Sequence, residues 1–93
     1  MLSTLPTNLD KLDKKEVDKE ILRAGMIAEL DAVSFYEQMA AMAHDKHVKE
    51  ALLDIAKEEK THLGEFQALL LMLDEEQARE LKAGKKEIEN LKG

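Results

Sequence analysis

The chain has no cysteine and no tryptophan, a single proline, one tyrosine and two phenylalanines among 93 residues. Without thiols there are no disulfides and no thiolate metal sites. Any metal must then be held by carboxylates and imidazoles, a donor set that favours harder cations. No apolar run approaches the ~18 residues of a membrane span, and the opening MLSTLPTNLDK lacks the basic and apolar regions of a signal peptide. The chain therefore reads as cytoplasmic, with no membrane partner. Acidic residues exceed basic ones by 20 to 14, a formal net charge of -6, which argues against nucleic acid and toward cationic partners. A chain this short makes one small domain whose core is thin for a monomer, so a partner subunit or a metal is expected.

Proline stands only at position 6, and the rest of the chain reads as all-α. Three aspartates give helix-start signals: Asp13 with Glu16, Asp74 with Gln77 and, more weakly, Asp45 with Val48. After a flexible N-terminal segment over 1–13, they predict helices over about 14–43, 46–73 and 75–91. A short HDK turn folds the first two into an antiparallel hairpin over 14–73. The third stretch, 74–93, is more polar and has a glycine inside it. It reads as an appendage that packs on a neighbour.

Periodicity singles out three side chains. In the second helix Val48, Leu52, Ile55, Glu59, His62, Phe66, Leu69 and Leu73 fall on alternating steps of four and three, a heptad seam facing a partner helix. In the first helix Leu22, Met26, Glu29, Val33, Tyr36, Ala40 and Ala43 form a second such seam. Glu29, Glu59 and His62 thus stand where apolar residues are expected, and an unpaired buried carboxylate costs several kcal/mol. A cation between the helices compensates that cost. Glu-x-x-His puts both side chains on one helical face, and a glutamate from the facing helix closes the site. The motif alone occurs by chance in many helices; what strengthens it is that two independent helices each break their seam with a ligand-type residue. The arrangement is half of a two-metal bundle site. Two chains pairing their hairpins about a two-fold axis would supply all six ligands and complete a ferritin-like four-helix bundle.

The remaining residues divide more simply. Tyr36 is either a core residue with a satisfied hydroxyl or a hydrogen-bond partner of a ligand. Met26, Met39, Met42 and Met72 read as core filler. His44 and His47 fall at the turn, in solvent. Asp31, Glu37, Glu58 and Glu65 leave the seams and form a solvated acidic face, from which Asp31 could pass cations inward.

AELDAVSFYEQMA followed by EEKTHLGEF resembles the encapsulated ferritins, whose two-helix subunits build a ferroxidase centre across a dimer interface. The likeness covers roughly residues 20–73 plus a short C-terminal helix. It is nearest to the archaeal form in which this domain precedes an encapsulin shell protein in one polypeptide. The resemblance implies that Glu29, Glu59 and His62 are di-iron ligands and that Tyr36 is the family's nearby tyrosine. Phe35 stands where the family commonly has tryptophan. The family's outer acidic site corresponds to Ala28 and Asp31, so one of its two carboxylates is missing. No shell-docking peptide follows Lys92 and Gly93, which suits a domain from a fusion. The implied function is a ferroxidase with two iron ions per homodimer, in a larger ring inside an encapsulin nanocompartment that stores the iron. Two alternatives stay open: a rubrerythrin-like peroxide reductase, and a non-enzymatic helical dimerisation or cargo module.

Overall fold

The computed structural model describes residues 13–92. Three helices account for almost all of them: α1 (Lys14–Met42), α2 (Lys46–Leu73) and α3 (Glu75–Lys92). The segment 1–13 expected to be flexible lies outside the described residues, apart from Asp13. Each of the three aspartates caps the helix it was expected to start. Asp13 accepts the Glu16 N–H at 2.9 Å, Asp45 that of Val48 at 3.0 Å and Asp74 that of Gln77 at 3.0 Å. Each bond satisfies a helix-start donor that has no partner within the helix. The first helix ends at Met42, one residue sooner than expected. Ala43 takes extended backbone (φ -69, ψ 138) while its N–H still reaches the Met39 and Ala40 carbonyls. The reversal is therefore Ala43–His44–Asp45, and it lays α2 antiparallel against α1.

The hairpin closes on very little. Leu22, Ala40, Ala56 and Leu70 are its buried apolar residues among those described. On α1 the expected seam is at least half-buried throughout. On α2 the expected seam is half-buried at Leu52, Ile55, Glu59, Phe66 and Leu73 but exposed at Val48, His62 and Leu69; one position further along, Ala56 and Leu70 are buried and Leu63 is half-buried. One helix pair can bury only one stripe of each helix, and the small Ala56 lets the backbones approach there. The edge that carries His62 stays open. Met42 and Met72, expected in the core, are each 78% exposed.

Asp74 is the whole junction between α2 and α3. Besides capping α3, its carboxylate accepts from Arg23 Nη2 at 3.2 Å and faces Lys19 Nζ at 4.0 Å, both on α1. Glu16 and Glu20 hold those two cations from the other side, at 3.3 and 2.8 Å. Beyond this knot α3 leaves the hairpin, and its side chains from Arg79 to Leu91 are exposed. The radius of gyration is 16.7 Å, against about 12 Å for a compact domain of this length. The third helix therefore does not pack on its own hairpin.

The Asp74 carboxyl is held below its ordinary pKa, first by the Gln77 N–H and then by the charges of Lys19 and Arg23, with burial opposing them. A depressed carboxylate stabilises the fold fully above the ordinary range near ~4, and that contribution is lost as pH falls through the depressed value. Asp74→Asn keeps a cap acceptor and removes the charge. It is expected to speed amide exchange at the start of α3 at neutral pH, and to lack the further acid-dependent acceleration of the parent. An unchanged acid response in the variant would place the proton elsewhere.

Candidate metal centre

Glu29 comes from α1, while Glu59 and His62 lie three residues apart on α2 and so on one helical face. One ligand-type atom from each falls within 4.8 Å of the others. His62 Nδ1 is 3.5 Å from Glu59 Oε2 and 3.8 Å from Glu29 Oε2. Neither separation is a hydrogen bond. Two donors held about 2.1 Å from a common ion lie roughly 3 to 4.2 Å apart, so the spacing suits ligands around an ion better than a bonded pair.

Burial sharpens the point. The Glu29 and Glu59 side chains are only 16% and 20% exposed, and Glu29 Oε2 is fully buried with no hydrogen-bond partner. A buried acceptor left unpaired costs ~1 to 3 kcal/mol, and more when it is charged. An oxygen-loving cation fits this vacancy in the bonding, and the acid–acid–imidazole donor set fits iron. On the outer side His62 is 46% exposed, in line with Val48 and Leu69 at 50% each.

Asp31 and Tyr36 do not join the convergent group. With Ala32 and Phe35 they line a cleft of about 460 Å³. The Tyr36 ring tilts against Phe35 at 5.7 Å and 52°. His44, His47, Glu58 and Glu65 are exposed, as expected.

Residues 4–82 match the EncFtn-like family. The chain belongs to that family. It is 56% identical over 95 residues to a protein named ferritin-like-encapsulin shell fusion protein in Pyrococcus furiosus. That alignment takes in 100% of this chain and 28% of the relative, so the chain spans little more than a quarter of the relative's length. A crystal structure of the encapsulated ferritin domain from Pyrococcus furiosus matches with a TM-score of 0.84 at 55% identity, over 98% of this chain and 95% of that one. The resemblance read from AELDAVSFYEQMA and EEKTHLGEF therefore holds, as does the ferritin-like helical fold.

Two features of this family member were missed in the sequence. Glu37, read as part of a solvated face, pairs across the hairpin with Lys60 at 3.2 Å; both are largely exposed, so the pair contributes at most ~1 kcal/mol. Gly25 lies inside α1, where glycine costs about 1 kcal/mol relative to alanine. The Phe66 ring sits against it: a Cβ built on Gly25 would meet three ring carbons at 3.1, 3.2 and 3.2 Å. The available signal was spacing, since Gly25 is four residues before Glu29 and Phe66 four after His62.

Because no hydrogen-bond donor among the described residues reaches Glu29 Oε2, Glu29→Leu is expected to raise the melting temperature of the chelated protein. The gain corresponds to ~1 to 3 kcal/mol. Glu59→Leu is expected to be stabilising or neutral under the same conditions. Thermal melts at pH 8 with a chelator check this, and a clear loss for Glu29→Leu would mean that the carboxylate is held by a structural partner.

Proposed function

We propose that the chain is a ferroxidase, oxidising Fe(II) to Fe(III) with dioxygen at a two-iron site shared by two subunits and delivering iron to an encapsulin shell for storage. The observation that carries this reading is the convergence of Glu29, Glu59 and His62 around an unpaired, buried carboxylate oxygen. Ferrous iron is the substrate: each ion loses one electron, and dioxygen takes up both. The residues bind, balance charge and orient. Glu29 and Glu59 supply two negative charges from opposite helices, which match Fe(II) and favour Fe(III) still more. His62 turns Nδ1 toward both carboxylates and offers a nitrogen donor beside their oxygens.

A shared site follows from what the single chain leaves open. Three donors fall short of the six that an octahedral ion takes. His62 shares its exposed stripe on α2 with Val48, about four turns before it, and Leu69, about two turns after it, apolar positions that a second hairpin would cover. In the assembled form Tyr36 would lie near the centre as a hydrogen-bond partner, and Asp31 would pass cations toward it. The homodimer, its incorporation into a ring and its enclosure in a shell belong to the same proposal. The association with a shell is supported by the Pyrococcus relative, whose name joins a ferritin-like part to an encapsulin shell.

Glu29→Ala, Glu59→Ala and His62→Ala are each expected to abolish most iron-dependent oxygen uptake, while His44→Ala and Glu65→Ala leave it unchanged. Zn(II) is expected to compete and inhibit. Iron binding should saturate at two ions per two chains and shift the chain toward the paired state by mass action. Oxygen-electrode assays with native mass measurements test both parts. A fully ligated metal-loaded monomer would refute the shared site, and equal losses at exposed and convergent positions would refute the assignment of ligands.

A further inference from the structure

We infer that Phe66, seated on the bare backbone of Gly25, is a positioning residue that sets the spacing of α1 and α2 at the metal-binding layer and so tunes which ions the site holds. The inference rests on the metal-site reading of Glu29, Glu59 and His62. It adds a determinant outside the ligand set.

No described glycine has positive φ, so Gly25 is not required by backbone conformation. It caps nothing, since it lies well inside α1 (Lys14–Met42). What it provides is room. Three Phe66 ring carbons stand 3.1 to 3.2 Å from where a Cβ would be, closer than ordinary van der Waals contact. Gly64 and Gly84 have nothing within 4 Å of the same point. The close approach is thus particular to one glycine and one ring.

Its position makes it consequential. Gly25 precedes Glu29 by four residues and Phe66 follows His62 by four, so the contact lies one helical turn from the ligands on both helices. It adjoins the one layer of the hairpin where three donors must meet across the helix interface. A helix is stiff over one turn, so a change of a few tenths of an ångström in spacing at Gly25 is transmitted to Glu29. The glutamates have three rotatable bonds with which to adjust; the imidazole has two and adjusts less. A wider layer therefore penalises small ions, which need every donor close, more than large ones.

The test is metal titration by calorimetry on Gly25→Ala, Phe66→Leu, the double variant and Gly64→Ala, using Zn(II) and the larger Mn(II) as probes. Helicity and melting under chelator are measured in parallel. Gly25→Ala is expected to retain helicity, yet bind Zn(II) about tenfold more weakly, as is typical when a residue that orients ligands is disturbed. Mn(II) affinity is expected to fall less. Phe66→Leu alone is expected to weaken Zn(II) binding as well. The double variant, whose smaller side chain accommodates the new Cβ, is expected to recover most of the Zn(II) affinity, and Gly64→Ala to match the parent. Wild-type Zn(II) affinity in Gly25→Ala would overturn the inference, as would equal losses for both ions. If Gly25→Ala does not fold, Phe66→Leu decides alone: weaker Zn(II) binding supports the positioning role and unchanged binding overturns it. A parent protein that binds neither ion would instead overturn the metal-site reading on which the inference stands.

Discussion

A carboxylate oxygen buried between two helices needs a partner for its charge, and among the described residues no hydrogen-bond donor reaches Glu29 Oε2. Much of the rest of the structure is organised around that constraint. Glu59 and His62 approach Glu29 without bonding to it, and the His62 side chain stands at the open edge of the hairpin, 46% exposed. Stability is given up locally: the hairpin closes over a very small core, and its most polar residues occupy places where leucine would pack. Such local conflict between patterning and chemistry is what a functional site imposes on a foldable sequence.

The helices were legible because their starts are written in local chemistry. Asp13, Asp45 and Asp74 each cap within three residues, and capping depends on nothing distant. The candidate ligands were legible for a related reason, since a glutamate or histidine on a heptad seam breaks a pattern that is otherwise regular. Which edge of α2 faces inward was not legible. Val48, His62 and Leu69 make as good a stripe as Ala56, Leu63 and Leu70, and the spacing within α2 does not choose between them. Met42 and Met72 stand off both seams, so periodicity gave no support for placing them in the core. Gly25 carried too weak a signal: a helical glycine is common, and its meaning appears only once Phe66 is opposite. The cross-helix pair of Glu37 and Lys60 likewise depends on the relative stagger of the two helices, which the spacing within either helix does not contain.

Family membership and geometry bear on different questions. Membership of the EncFtn-like family, with close identity to an encapsulated ferritin domain, accounts for the fold and for the chain's flat, incompletely buried form. It does not by itself say which atoms meet. The coordinates add Glu29 from the facing helix to the pair that Glu-x-x-His already places on one face of α2.

The single-residue junction at Asp74 has a mechanical consequence. The third helix is a rod of 18 residues, about 27 Å long, so each 10° of rotation at its root sweeps its tip through roughly 5 Å. A looser linker would let that tip wander over an area larger than most contact patches. Here the pivot is clamped from α1 by a guanidinium and an ammonium, so the rod's direction is inherited from the hairpin rather than chosen on encounter. Whatever the far end of α3 meets, the angle of approach is set at its base by Lys19, Arg23 and Asp74.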